Sequence, residues 1–144
     1  MTDDAKRSST PPPEVHADEV LILVERLADE LNYYKTLFDQ LPIGIYRTSK
    51  DGVILKANAT LAEILGYTVD ELKFIPASKL FADPADREDQ LVRWKKATGV
   101  VSDVLRMVTE DGREIRVRDT GRAILDDNGE IAYFDGVIEP LDRD

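Results

Sequence analysis

Three two-residue turn signals, Asp51-Gly52, Asp111-Gly112 and Asn128-Gly129, each stand between runs that read as β-strands. Asp-Gly and Asn-Gly supply the positive φ angles that tight hairpins require, so each signal predicts two antiparallel neighbours. The strands they delimit are IGIYRTS (43–49), GVILKA (52–57), VVSDVLRMVT (100–109), REIRVRDTGRAIL (113–125) and EIAYFDGVI (130–138). Helical patterns fill the interval between the second and third strands. Strands clustered on either side of segregated helices predict an α+β fold with an antiparallel sheet.

The helices carry their own start and stop signals. Asn58 stands where an N-cap belongs, Leu61, Ile64 and Leu65 form an apolar stripe, and Gly66 is placed to end that helix. Thr68 with Glu71 has the form of a capping box, and Asp83-Pro84 opens a third helix with a cap and a proline at its first position. The stretch GVILKANATLAEILGY (52–67) runs a strand into a capped helix, an arrangement that often cradles phosphate. Here the glycine-rich approach is missing and the strands are antiparallel, whereas such sites use parallel strands. Asn58 is therefore read as a cap, not a ligand contact.

Ahead of the first strand lies a different periodicity. Val20, Val24, Leu27, Leu31, Tyr34, Phe38 and Leu41 are spaced alternately four and three apart, the 3.5-residue repeat of a coiled-coil seam. Glu30 at g and Lys35 at the following e suit an interchain pair in a parallel dimer. Leu21, Ile22, Leu23 and Leu37 widen the stripe, which leaves a second reading open: an amphipathic helix packed on its own domain. The division expected is thus a disordered, proline-containing leader over 1–16, a dimerisation helix over 17–41, a domain over 42–139 and a junction over 140–144.

Composition narrows the function. The net charge of −10 disfavours nucleic acid and anionic membrane as partners. The longest apolar run, VLILV at 20–24, falls far short of a bilayer span, so no membrane contact is expected from this segment. There is no cysteine, and the one histidine is His16. A serine triad has no histidine partner in the domain, and DDNGE lacks the ligand spacing of a calcium loop. The acidic residues of DPADRED are explained by the macrodipole of the helix they open. No catalytic residue and no metal ligand is predicted.

Two stretches, LFDQLPIGIYRTSKDGVILKANATLAEILGYTVDEL and VLRMVTEDGREIRVRDTGRAILDDNGEIAYFDGVI, closely resemble the PAS domain, the sensory box of signalling proteins, over residues 37–139. The resemblance implies a five-stranded antiparallel sheet with short helices on one face and a small-molecule pocket between them. It also implies a homodimer formed through the helix before the first strand, at Val20, Val24, Leu27, Leu31, Tyr34 and Phe38. A cytoplasmic sensor is expected, coupled to an output domain such as a sensor histidine kinase of a two-component system, a diguanylate cyclase or a transcriptional regulator. The chain carries no GGDEF sequence and no kinase phosphoacceptor region, so it is read as a fragment whose enzymatic activity, if any, lies in another domain. The other reading is a ligand-free protein–protein interaction module.

Within the resemblance, the missing cysteine excludes the cysteine-adduct flavin photochemistry of the light-oxygen-voltage subclass. The missing domain histidine speaks against histidine-ligated haem. A non-covalently held flavin or another small molecule is left open. Many members end their last strand with Asp-Ile-Thr, where this chain has Pro140, Leu141 and Asp142, or Glu139 in the acidic role after a one-residue shift.

Alternation nominates the pocket. Leu91 and Trp94 share a helix face, Leu105 and Met107 share a strand face, and Val117 shares one with Ile115. Asp119 is in phase with Val117, which puts a carboxylate on the inner face, and Arg47 is its candidate partner. Two readings of Asp119 stand: a polar handle on a ligand, or a structural ion pair or solvated strand end. Arg116, Arg118 and Arg122, with Arg106 beside them, alternate onto the opposite face, either to meet an acidic partner or as a solvated surface.

Overall fold

The computed structural model describes residues 13–141. Residues 1–12 of the expected leader and 142–144 of the expected junction, Asp142 included, lie outside the described residues. The chain divides into two units between Leu37 and Phe38. Helix α1 spans Pro13–Gln40, and His16 is helical. In the first unit Val20, Val24, Leu27, Leu31 and Tyr34 are each more than half exposed, as are Leu21, Ile22, Leu23 and Tyr33. No helix among the described residues is long and apolar enough to cross a membrane.

The second unit is an antiparallel sheet with helices on one face. Its elements are β1 (Gly44–Ser49), β2 (Ile54–Ala57), α2 (Ala59–Leu65), α3 (Val69–Leu72), a 3₁₀ turn (Ala77–Leu80), α4 (Pro84–Lys96), β3 (Val101–Val108), β4 (Glu114–Leu125) and β5 (Ile131–Pro140). The sheet order is β2-β1-β5-β4-β3, with five strands and every neighbouring pair antiparallel. β5 runs through Pro140, which pairs with Val117. The next amide, of Leu141, donates to the Arg116 carbonyl on β4, so the missing N–H of Pro140 faces the β1 side. There β1 has already ended at Gly44 opposite Ile138, and the proline breaks no rung.

Burial follows the alternation. Tyr46 and Thr48 on β1, Phe134 and Ile138 on β5, Val117 and Asp119 on β4, and Leu105 and Met107 on β3 are buried. Helices α2 to α4 cover that face with Leu61, Leu65, Leu72 and Trp94, each at most 2% exposed. Every such side chain contributes about 1.5–3 kcal/mol by leaving water. The caps form as the sequence predicts: Asn58 opens α2, Gly66 closes it at φ 83°, Thr68 and Glu71 make a reciprocal capping box, and Asp83 caps α4.

Two glycines shape the inner face. Gly121 and Gly136 are cross-strand partners on β4 and β5. A Cβ on Gly121 would stand 2.6 Å from the Trp94 ring, and one on Gly136 would stand 2.4 Å from the Tyr46 hydroxyl. Both contacts are impossible for real atoms, so this bare patch is what lets the two rings lie against the sheet.

Asn58 does more than cap. Its Oδ1 accepts from the Ile45 amide at 2.9 Å and the Leu61 amide at 3.0 Å, and its Nδ2 donates to the Phe38 carbonyl at 2.7 Å and the Ile43 carbonyl at 2.9 Å. The residue is fully buried. Removing the amide strands four backbone groups, and each unsatisfied buried group costs on the order of 1–3 kcal/mol. Asn58→Ala should therefore lower urea-unfolding stability by about 3 kcal/mol; a loss below about 1 kcal/mol would reduce Asn58 to an ordinary cap.

Candidate functional site

The inner face of β4 carries a carboxylate, Asp119, only 2% exposed. Its Oδ1 accepts from the Tyr46 hydroxyl at 2.8 Å, and its Oδ2 accepts from the Gln90 amide at 2.7 Å. Gln90 in turn accepts through Oε1 from Arg87 Nη1 at 3.2 Å. Arg87 and Gln90 are one turn apart on α4 and share a face with Trp94. The Arg87 guanidinium lies 5.7 Å from the centroid of the Phe81 ring, within range of a cation–π attraction. Gln90 thus stands between a buried cation and a buried anion that form no direct salt bridge.

Beside this chain of hydrogen bonds is a cavity. It is lined by Tyr46, Thr48, Arg87, Met107 and Asp119 together with apolar side chains from β2, α2, the 3₁₀ turn and β5, among them Ile54, Leu61, Leu65, Leu80 and Ile138. Its volume is about 30 Å³, room for one or two waters. Pockets for larger ligands run to roughly 300 Å³ and above, so neither a flavin nor a haem fits. Two buried polar atoms on its lining residues, Thr48 Oγ1 and Arg87 Nη2, have no protein partner. A wider surface groove of about 740 Å³, bordered by Lys50, Lys95, Lys96 and Arg122, shares no residue with the cavity. Among the described residues no group of three or more His, Cys, Asp or Glu side chains is placed to hold a metal ion.

Burial dominates the electrostatics. It pushes the Asp119 carboxyl up to about 6, against the hydrogen bonds from Gln90 and Tyr46 and the Arg87 charge, which pull it down; Asp103 pushes it further up. Burial and the neighbouring Asp119 charge raise the Tyr46 phenol well above its ordinary range. Desolvation lowers Arg87, while Tyr46 and Asp119 oppose that shift.

Of the seven residues nominated from the sequence, Met107 and Asp119 line the cavity. Trp94, Leu105 and Val117 are core residues, and Leu91 is a half-buried side chain packed against that core. The Trp94 indole donates to Asp103 Oδ2 at 2.9 Å, not into the cavity. Arg47 is a correction. It alternates with Tyr46 and Thr48 and so projects from the other face, where its Nε and Nη2 donate to Asp135 at 2.7 and 2.8 Å and its guanidinium covers the Tyr133 ring. The partner of Asp119 on β1 is Tyr46.

Thr48, Arg87 and Gln90 were not among the nominated residues. The available signal was phase: Thr48 is in step with Tyr46, and Arg87 and Gln90 are in step with Trp94. Arg118 and Arg122 are exposed on the outer face beside Arg106 and Arg116, with Arg122 opposite Asp135.

Asp119 gives the fold a pH dependence of unusual sign. Its proton is held more tightly in the folded than in the unfolded chain, so stability falls as pH rises from about 4 through about 6. Between pH 4.5 and 7.5 this contribution amounts to roughly 2 kcal/mol. Urea unfolding of the wild type and of Asp119→Asn at those two pH values should show the wild type losing that much more than the variant; parallel pH profiles would contradict the raised carboxyl.

Comparison with known proteins agrees with this architecture. The family model described as PAS domain matches residues 42–139, more than half of the chain. The PAS domain of a LuxR-family transcriptional regulator from Burkholderia thailandensis, solved in complex with ethanol, is 28% identical with a TM-score of 0.65, covering 75% of this chain and 96% of its own. The PAS domain of an HTR-like protein from Haloarcula marismortui is 18% identical with a TM-score of 0.70, covering 81% and 96%. A domain of a sensory box sensor histidine kinase/response regulator from Geobacter sulfurreducens is 21% identical with a TM-score of 0.61, covering 78% and 96%. No curated protein sequence matches the chain. With the sheet order, the helices on one face and the family match over 42–139 in agreement, the chain belongs to the PAS domain family.

Proposed function

We propose that this chain is a cytoplasmic sensory module in which a small molecule in the cavity biases the start of the domain, and that two copies associate through α1. The observation that carries the proposal is the pair of buried hydrogen-bonding atoms without a protein partner, Thr48 Oγ1 and Arg87 Nη2, on two residues that line the same small cavity. A buried polar atom left unpaired costs on the order of 1–3 kcal/mol, so an occupant that bonds to both is favoured. The ethanol held by the Burkholderia thailandensis domain supports an occupant of that size.

A route from cavity to helix end runs through Asn58. Leu61 lines the cavity, its amide donates to Asn58 Oδ1, and Asn58 Nδ2 donates to the Phe38 carbonyl at the end of α1. Asp39 Oδ1 accepts from the Ala59 amide, and the Thr60 hydroxyl donates to the Leu41 carbonyl at 2.6 Å. A ligand signals only if it prefers one of two arrangements, and this corner is where the proposal places the difference. Any catalysis would lie in an output domain: a sensor histidine kinase, a diguanylate cyclase or a transcriptional regulator, the last supported by the LuxR-family similarity.

Dimerisation rests on the heptad spacing and on the exposure of Val20, Val24, Leu27, Leu31 and Tyr34; Phe38, the sixth seam position, is half-buried. The size of the cavity favours one other reading, an assembly module whose cavity holds only water.

Two measurements test the proposal. Light scattering should give a dimer for the wild type and a monomer for Leu27→Lys/Leu31→Lys, and an unchanged mass would remove α1 from the interface. Ethanol titrated into isotope-labelled protein should shift resonances of Thr48, Leu61 and Met107 selectively. Uniform or absent shifts would favour the water-filled assembly module.

A further inference from the structure

We infer that the open edge of β3 docks an extended segment of a partner protein as a sixth strand, with lysine or arginine on the side that faces α4. β3 is the last strand of the sheet, and its one sheet neighbour is β4. Successive residues of a strand in an antiparallel ladder turn their backbone polar groups to opposite edges. The Ala82 amide donates to the Arg106 carbonyl at 3.0 Å, and Phe81 bridges to Met107. The even-numbered residues of β3 therefore present their amides and carbonyls away from β4. The segment at Phe81 covers this edge beside Arg106 and then leaves it, because Asp83 caps α4 and Pro84 begins it. Past that point the amides and carbonyls of Ser102 and Val104 have no partner among the described residues. A sixth strand is begun there and not continued.

The chemistry beside the open stretch selects the occupant. A groove of about 430 Å³ lies between it and α4, bordered by Asp86, Asp89, Val92 and Arg93 on the helix and by Asp103 and Val104 on β3. Arg93 pairs with Asp103, which also accepts from the Trp94 indole. An inward charge ordinarily guards an exposed edge, and these two donors take Asp103 out of that role. No side chain among the described residues pairs with Asp86 or Asp89, and Asp89, past the first turn of α4, gains little from the helix dipole. In an added strand, alternate side chains would point toward α4, where the two carboxylates suit a cation. The others would lie beside Val104, which is 51% exposed and opposite Arg118. Backbone bonds would supply affinity and this alternation specificity. Pairing with β3 of a second copy would instead bring two acidic grooves together in a chain of net charge −10, and like-charge juxtaposition opposes that.

A capped hexapeptide of alternating lysine and valine, titrated into isotope-labelled protein at low ionic strength, tests the inference. The amide resonances of Ser102 and Val104 should shift, and their exchange with solvent should slow in the complex. Replacing the lysines by glutamate, or making Asp86→Asn/Asp89→Asn, should each weaken binding about tenfold, and the protein variant should also reduce the salt dependence. N-methylation of the peptide backbone should abolish binding to the wild type. Val104→Pro, checked for folding by circular dichroism, removes an edge donor without breaking a rung to β4 and should abolish it too. No binding of the basic peptide, binding that survives N-methylation, or shifts confined to the groove bordered by Lys50 and Arg122 would overturn the inference. If Ser102 and Val104 are already protected without peptide, and Leu27→Lys/Leu31→Lys remains a dimer, the edge belongs to a second copy and the basic partner is wrong.

Discussion

Burying Asp119 is the constraint around which the sensory unit is arranged. A carboxylate taken out of water carries a penalty of several kcal/mol unless it is well hydrogen-bonded. Here two elements supply the bonds: Tyr46 from β1 and Gln90 from α4. Tyr46 reaches the carboxylate because Gly136 has no Cβ in its way, and α4 approaches because Gly121 admits the Trp94 ring. A pair of facing glycines on β4 and β5 thus controls both donors. The same helix brings Arg87 into the core, and Gln90 keeps it from pairing directly with Asp119. What results is a polar site with hydrogen-bonding capacity to spare, not a closed ion pair.

That spare capacity lies on residues beside a small cavity. Voids between apolar side chains stay dry and signify nothing chemical. Here Arg87 and Thr48, each with a buried polar atom that has no protein partner, are among the residues that line the space. The cavity also adjoins Leu61, whose amide belongs to the Asn58 network at the end of α1. The cavity lining and the Asn58 corner are thus joined by one set of hydrogen bonds within the second unit.

Much of this was legible in the residues. Dipeptide turns, caps and strand alternation give all five strands, the caps of α2 to α4 and the inward position of Asp119, because each depends on local geometry. The partner of Asp119 was not legible in the same way. Opposite charge nominates Arg47, yet alternation had already turned Arg47 outward and Tyr46 inward, and phase outweighs charge. Arg87 gives no sign of burial beyond its spacing from Trp94, since arginine on a helix is ordinarily solvated. The facing of Gly121 and Gly136 depends on cross-strand register, and the cavity volume on the sum of many side-chain positions. Neither is carried by any single segment. In the first unit, the heptad spacing of Val20 to Tyr34 was plain, and those side chains are exposed.

The central claim is that Arg87 and Thr48 face a site meant to be occupied. A high-resolution crystal structure of the protein, grown with ethanol, addresses it directly. The account predicts ordered density in the cavity within hydrogen-bonding distance of both Arg87 Nη2 and Thr48 Oγ1, with the Arg87–Gln90–Asp119–Tyr46 chain intact. An empty cavity, or an Arg87 side chain turned out to solvent, would contradict it.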